Sequence, residues 1–214
     1  MTQAVLWDND GVLLDTEALF FEVTRSAFAK LQLQLTRENW GIQYLAAGRS
    51  SREIAASLGA KPEQAASVMD ERNEEYRRAL QRPLPARPQV RETLAALAGR
   101  VRLAMVTGCP RRELQLMHAT TALLPFFEQV ITGNDCPCSK PHPEPYLIAL
   151  KALGVKAGHC LAIEDSPRGL ASATAAGVPC VVVPTELTRG LDFPGALSVE
   201  HDVSAVLKHI VLKM

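Results

Sequence analysis

Val5-Leu6-Trp7-Asp8-Asn9-Asp10-Gly11-Val12-Leu13-Leu14-Asp15-Thr16-Glu17 begins as a short apolar run of strand composition and stops abruptly at two aspartates and a glycine. Side chains at i and i+2 of a strand point the same way. Asp8 and Asp10 are therefore expected to leave the strand tip as a pair aimed at one point. Gly11 lets the backbone turn close to whatever those carboxylates hold. Two like charges so near each other are unfavourable unless a metal ion or a shared proton intervenes. A solvated turn capping a strand explains this stretch equally well by itself. The later segments decide between the two.

Residues 15–31 carry Phe20, Val23, Ala27, Phe28 and Leu31 at helical spacing, with Asp15 or Thr16 as the cap. A second helical piece is expected at 36–45. Ser50 and Glu53 have capping-box spacing, so a short helix starts there and stops at Gly59. Pro62 suits the first turn of another helix, with Ala65, Val68, Met69, Arg72, Tyr76 and Leu80 along one face. Nothing in this region reads as a strand. Pro83, Pro85 and Pro88 then make a stiff, extended connector.

Beyond it the pattern alternates. Strands are expected at 101–106, 130–132, 161–163 and 179–183, and helices at 90–97, after Pro110, at 144–153, 168–176 and 203–212. Such strands, apolar enough to be buried on both faces, imply a parallel α/β sheet with helices on each side. In such sheets functional groups collect beyond the C-terminal strand ends. Asp8 and Asp10 follow the first strand, Thr107-Gly108 the second and Glu164-Asp165 the fourth, while the third leads to Lys140. Clustered carboxylates make a hard-oxygen site suited to Mg²⁺. A lysine and a hydroxyl around the same point suit a phosphoryl group. An aspartate can serve as the nucleophile, and a second carboxyl two residues on as acid and then base.

The composition narrows the alternatives. With 214 residues, 47% hydrophobic and 21% charged, the chain is globular, with room for a core and a smaller second unit. A formal net charge of zero gives no electrostatic footprint for nucleic acid or an anionic membrane. No apolar stretch approaches a membrane span, and the N-terminal run is too short for a signal peptide. Five cysteines, an odd number, fit reduced thiols and a cytoplasmic location. Cys136-Pro137-Cys138 lacks the usual spacing of a zinc half-site and reads as loop.

The chain resembles the haloacid dehalogenase superfamily of phosphohydrolases, in the subgroup whose helical cap lies between the first two core motifs. Four motifs carry the resemblance: the stretch 7–17, Val106-Thr107-Gly108, Ser139-Lys140-Pro141-His142-Pro143-Glu144, and Ile163-Glu164-Asp165-Ser166-Pro167-Arg168-Gly169. It implies a Rossmann-like core from residues 1–15 and 84–214 and an all-helical cap from 16–83. Asp8 would attack phosphorus, and Asp10 would be general acid and then base. Thr107, Gly108 and Lys140 would hold the transferring phosphoryl oxygens. Mg²⁺ would be held by Asp8, Asp10 through its backbone carbonyl, Asp165 and Glu164, the last directly or through water. The implied substrate is a small phosphorylated metabolite. Thr16, Arg49 and Arg52 are candidate substrate contacts, although Arg49 and Arg52 also fit an ordinary charged helix start.

Two further readings stay open. Beta-phosphoglucomutase shares the cap type and Asp15-Thr16, but resembles a pattern with histidine where this chain has Phe20 and with a cap lysine where it offers Arg77-Arg78. A non-catalytic binding module on the same fold would have no physical reason to keep a costly carboxylate cluster. His142 reads as an exposed loop residue, and no heptad seam argues for an oligomer.

Overall fold

The computed structural model describes residues 1–211. Among these residues six parallel strands form one sheet in the order β3-β2-β1-β4-β5-β6. They are β1 (Ala4–Trp7), β2 (Arg102–Val106), β3 (Gln129–Ile131), β4 (Cys160–Glu164), β5 (Cys180–Val182) and β6 (Ser198–Val199). The order reverses direction at β1, which pairs with β2 on one side and β4 on the other. That reversal opens a crevice at the C-terminal ends of β1 and β4, where ligands of open parallel sheets bind.

The strands alternate between two buried faces. Val5, Trp7, Leu103, Met105, Leu161 and Ile163 face a cluster with Val90, Leu94 and Leu97 of helix α5 (Val90–Leu97) and with Leu114 and Met117 of α6 (Arg111–Met117). Ala4, Leu6, Ala104, Val106 and Ala162 face Tyr146, Ala149 and Leu153 of α7 (Glu144–Leu153) and Leu170 and Ala173 of α8 (Pro167–Ala175). Helices on both sides explain why β1 reads as a continuous apolar run.

Between β1 and β2 the chain is helical: α1 (Thr16–Lys30), α2 (Arg37–Trp40), α3 (Ser51–Ser57) and α4 (Pro62–Leu80). These helices enclose a cluster that includes Phe21, Phe28, Trp40, Leu45, Ile54 and Met69. Each such fully buried side chain stabilises the assembly by roughly 2 kcal/mol of transfer free energy. Ser50 caps α3 in a reciprocal capping box with Glu53, as the spacing requires. Arg72 lies on the buried face of α4, donates to Thr24 Oγ1 and Ser51 Oγ, and rests over the Phe20 ring. The two crossings between the helices and the sheet run side by side. Leu14 bridges Ala86, and the Arg87 amide donates to the Leu13 carbonyl at 2.9 Å.

Three segments differ from expectation. The helix expected at 36–45 breaks after Trp40 into a π-helical turn, Gly41–Ala46, where a Cβ on Gly41 would stand 3.1 Å from the Leu187 carbonyl. The two-residue β6 has no sequence signal of its own, being too short to show a period. The last helix expected is a 3₁₀ segment, Ser204–His209; the Asp202 carboxylate takes the Ser204 hydroxyl and the Ala205 amide just ahead of it. The expected end at Leu212 lies outside the described residues.

Candidate active site

β1 delivers Asp8 to the crevice. The Asp8 amide continues the ladder by donating to the Ile163 carbonyl at 2.9 Å. The chain then folds back: the Asn9 carbonyl accepts the Val12, Leu13 and Leu14 amides, and Gly11 takes φ +85°. A Cβ on Gly11 would stand 2.1 Å from Asp165 Oδ2, so both the turn and the close approach require glycine.

The two aspartates receive unlike partners. Asp8 Oδ1 accepts Lys140 Nζ at 2.7 Å. The same ammonium donates to the Val106 carbonyl at 2.8 Å and to Glu164 Oε1 at 2.6 Å, so all three of its protons are used. Tyr146 of α7 donates to the same Glu164 oxygen at 2.6 Å. Asp10 instead accepts two hydroxyls, Thr16 on Oδ1 at 2.5 Å and Thr107 on Oδ2 at 2.9 Å. The Cys109 amide in turn donates to Thr107 Oγ1, which fixes that hydroxyl's direction.

Asp8, Glu164, Asp165 and Lys140 are all buried. Burial pushes the Asp8 carboxyl up to about 8, with Glu164 and Asp10 adding to the shift and Lys140 opposing it. Burial, then Asp8 and Glu164, push Asp165 well above the ordinary carboxylate range. Burial disfavours the Lys140 ammonium, but Asp8 and Glu164 outweigh it and raise its pKa. Asp8 and Glu164 thus share a single ammonium, while Asp165 makes no ion pair among the described residues, and positive charge is in deficit.

That deficit fits a divalent cation. Ligand atoms of Asp8, Glu164 and Asp165 lie within 4.8 Å of one another, and all are hard oxygens. Asp165 Oδ2 is buried without a hydrogen-bond partner, a costly state for a carboxylate that a metal ion relieves. Gly169 leaves room for Glu164, whose Oε2 would stand 1.9 Å from a Cβ at that position.

A cavity of about 510 Å³ opens over this cluster, between the sheet ends and the helices that follow β1. Asp8, Asp10, Gly108, Lys140, Glu164 and Asp165 line its floor, and Phe20, Tyr44, Arg49, Tyr76 and Arg168 its walls. Of the three candidate substrate contacts, Arg49 reaches the cavity, where Gln43 Oε1 and the Glu53 carbonyl hold its guanidinium. Thr16 does not: it is fully buried and its hydroxyl is spent on Asp10. Arg52 does not either; it faces solvent and lies 3.8 Å from Asp70. Thr107 is likewise buried beneath the cavity, acting through Asp10. His142 is exposed on its loop, as expected.

Several residues in and around the site carry no separate signal in the sequence. His118, which ends α6, is buried and bonds Asn9 Oδ1 through Nε2 at 2.8 Å and Thr121 through Nδ1 at 2.7 Å. Asn9 stands between the two aspartates, and only the three-dimensional packing brings His118 to it. Glu17 lies inside the quoted first motif but is buried beside the cavity, accepting Trp40 Nε1 at 3.1 Å. Burial pushes its carboxyl up to about 7 against the pull of Arg168, whose guanidinium is 3.9 Å away and lies over the Tyr44 ring.

Known proteins share this architecture. Protein CbbY of Rhodobacter capsulatus is 33% identical over 205 residues, covering 91% of this chain and 90% of its own length. The phosphorylated carbohydrates phosphatase of Thermotoga maritima is 32% identical, covering 82% of each chain. The crystal structure of a CbbY variant from Rhodobacter sphaeroides in complex with xylulose-(1,5)bisphosphate superposes with a TM-score of 0.78, at 26% identity and 96% coverage of both chains. The profile of the haloacid dehalogenase-like hydrolases matches residues 5–183, from the first strand to just beyond the fifth. With four strand ends converging on one carboxylate cluster and this match along most of its length, the chain belongs to the haloacid dehalogenase-like hydrolase family.

Proposed function

We propose that the protein is a Mg²⁺-dependent phosphatase that hydrolyses a small phosphorylated sugar or acid through a phosphoaspartate at Asp8. The observation that carries this reading is the division of partners between two neighbouring carboxylates, one on a buried ammonium and the other between two hydroxyls. Paired carboxylates in unlike surroundings take unlike roles.

Asp8 Oδ attacks phosphorus, and the bond to the ester oxygen breaks as the acyl phosphate forms. Asp10 gives its proton to that leaving oxygen. It then accepts a proton from the water that attacks the acyl phosphate, releasing inorganic phosphate and restoring Asp8. Thr16 and Thr107 hold Asp10 in place for both transfers, and Lys140 orients Asp8. Asp8, Asp165 and the Asp10 carbonyl would hold Mg²⁺, which supplies charge neutralisation for the phosphoryl oxygens. Glu164 accepts Lys140 and Tyr146 on Oε1 alone, which positions the ammonium, and it would be a further Mg²⁺ ligand directly or through water.

The cavity walls support hydrolysis over transfer between two sites of a sugar. Phe20 packs against Tyr44 and Tyr76 with ring centroids 5.8 and 5.0 Å away. An aromatic hydrocarbon at this position has no proton to exchange and cannot make nucleophilic attack by a sugar hydroxyl preferable to attack by water. Arg49 and Arg168 offer cations for a second anionic or polar end of the substrate. The relatives named for phosphorylated carbohydrates and the xylulose bisphosphate complex support a substrate of that size and charge.

Residues 16–83 serve in this reading as a cap that closes over the substrate, hinged at the paired crossings. The test is phosphate release from a panel of phosphorylated metabolites, including beta-glucose 1-phosphate, with Mg²⁺ or with chelator. Mg²⁺-dependent release from one small ester is the expected result. Glucose 6-phosphate formed without phosphate release would replace the phosphatase by a mutase, and silence across the panel would favour a non-catalytic binding role.

A further inference from the structure

The loop that presents Lys140 carries a second, separate group of donors on its outer side. Cys138, His142 and Glu144 place one sulfur, one nitrogen and one oxygen within 4.8 Å of one another. Glu144 Oε2 accepts the Cys138 amide at 3.1 Å, and His142 Nδ1 stands 4.0 Å from that same oxygen. His142 Nδ1 also accepts the Glu144 amide at 3.2 Å, and a cation bound at that nitrogen would take the place of this hydrogen bond. Cys136 does not belong to it: its side chain packs against the cluster under the sheet.

The loop is stiff before anything binds. Pro137, Pro141, Pro143 and Pro145 fix φ at four of the nine positions from 137 to 145. The His142 carbonyl accepts Ser172 Oγ of α8 at 2.6 Å, and the His142 amide donates to the Ser139 carbonyl at 3.0 Å. Donors held this way lose little conformational entropy when they converge on a cation.

We propose that Cys138, His142 and Glu144 bind a borderline-soft divalent cation of the zinc type. Mixed sulfur, nitrogen and oxygen donors suit Zn²⁺ and are poor ligands for Mg²⁺, so the two clusters sort the two ions. Three protein ligands leave a fourth, tetrahedral position for water. The Cys138 thiol gives its proton to solvent as the metal–sulfur bond forms. Occupancy pins residues 138–144 in one arrangement, and Lys140 lies within that span. This site rests on side chains other than those that support the phosphatase reading, and its test does not need turnover.

Co²⁺ is the probe, added to the full chain under saturating Mg²⁺. The expected result is one equivalent of cobalt with a near-ultraviolet thiolate charge-transfer band, bleached by Zn²⁺. Cys138→Ser should abolish that band, and His142→Ala should weaken cobalt binding at least tenfold. Cys136→Ser and Asp165→Ala should both leave the band intact. Cys138 and His142 are exposed, and circular dichroism of their variants verifies that they fold. Absence of a thiolate band in the wild type overturns the proposal. So does a band that survives Cys138→Ser or disappears in Cys136→Ser.

Discussion

Asp8 and Asp10 carry the same functional group two positions apart, and the fold separates their surroundings. Asp8→Asn removes the attacking anion but keeps the shape. Turnover is expected to fall at least ~10³-fold, with no acid-stable phosphoprotein in a rapid-quench experiment. Residual hydrolysis near the wild-type rate would sink the nucleophile assignment. Asp10→Asn keeps the backbone carbonyl and loses the proton donor, so the rate should fall by roughly 10²–10⁴. Mg²⁺ affinity, measured by calorimetry, should stay close to wild type in that variant. Gly11→Ala tests the cradle itself. The added methyl would meet Asp165 Oδ2 at 2.1 Å on a backbone already at φ +85°. Mg²⁺ binding should weaken by at least tenfold, and an alanine variant with unchanged affinity would show that Asp165 can retreat without loss.

At the scale of elements, α6 reaches under the catalytic loop and holds Asn9 by the His118 ring. His118→Gln should cost about 2 kcal/mol at neutral pH, through lost or misaligned buried hydrogen bonds. It should lower kcat more than it raises KM, since Asn9 sits between the reacting aspartates. Burial pushes the His118 imidazole down to about 4 from an ordinary 6.5. The folded value lies below the unfolded one, so wild type loses stability as pH falls from about 6.5 to about 4, by up to about 3 kcal/mol. The glutamine variant has no such loss, so in urea titrations the gap between the two should close across that window and reverse at its acid end. A constant gap would mean that the ring is protonated in the native state. This contact also shows where sequence reading stops. Asp8, Asp10, Glu164 and Asp165 were legible because they stand at the ends of strands whose two-sided burial leaves an apolar run, and Lys140 because its motif follows the third strand through a loop. The Ser50 capping box was legible because it is local. His118 reaches its partner across 109 positions, and Thr16 turned from the cavity to Asp10, choices made by packing rather than by spacing. Arg52 was read from its place in the loop at 48–52 that the resemblance implies, and a loop's place does not say which of its side chains looks inward.

For the molecule as a whole, the buried charge deficit at the crevice is a stability liability that a bound ion should relieve. Mg²⁺ at about 100 times its dissociation constant should stabilise the fold by roughly 2.7 kcal/mol, read as a rise in Tm that chelator reverses. Asp165→Ala should abolish the rise. It should also raise the metal-free Tm, because one buried, unpartnered carboxyl is gone. A wild-type Tm indifferent to Mg²⁺ would count against the cation site. The side-by-side crossings at Leu14 and Ala86 have a consequence of another kind. Since the chain leaves the sheet and returns to it at neighbouring points, the distance between those points owes nothing to the shape of what is inserted there. Closing a longer or shorter excursion costs only a slowly growing entropy. The excursion can thus be exchanged or enlarged while β1 and β2 keep their register, and recognition is free to diverge while the chemistry beneath it stays where it is.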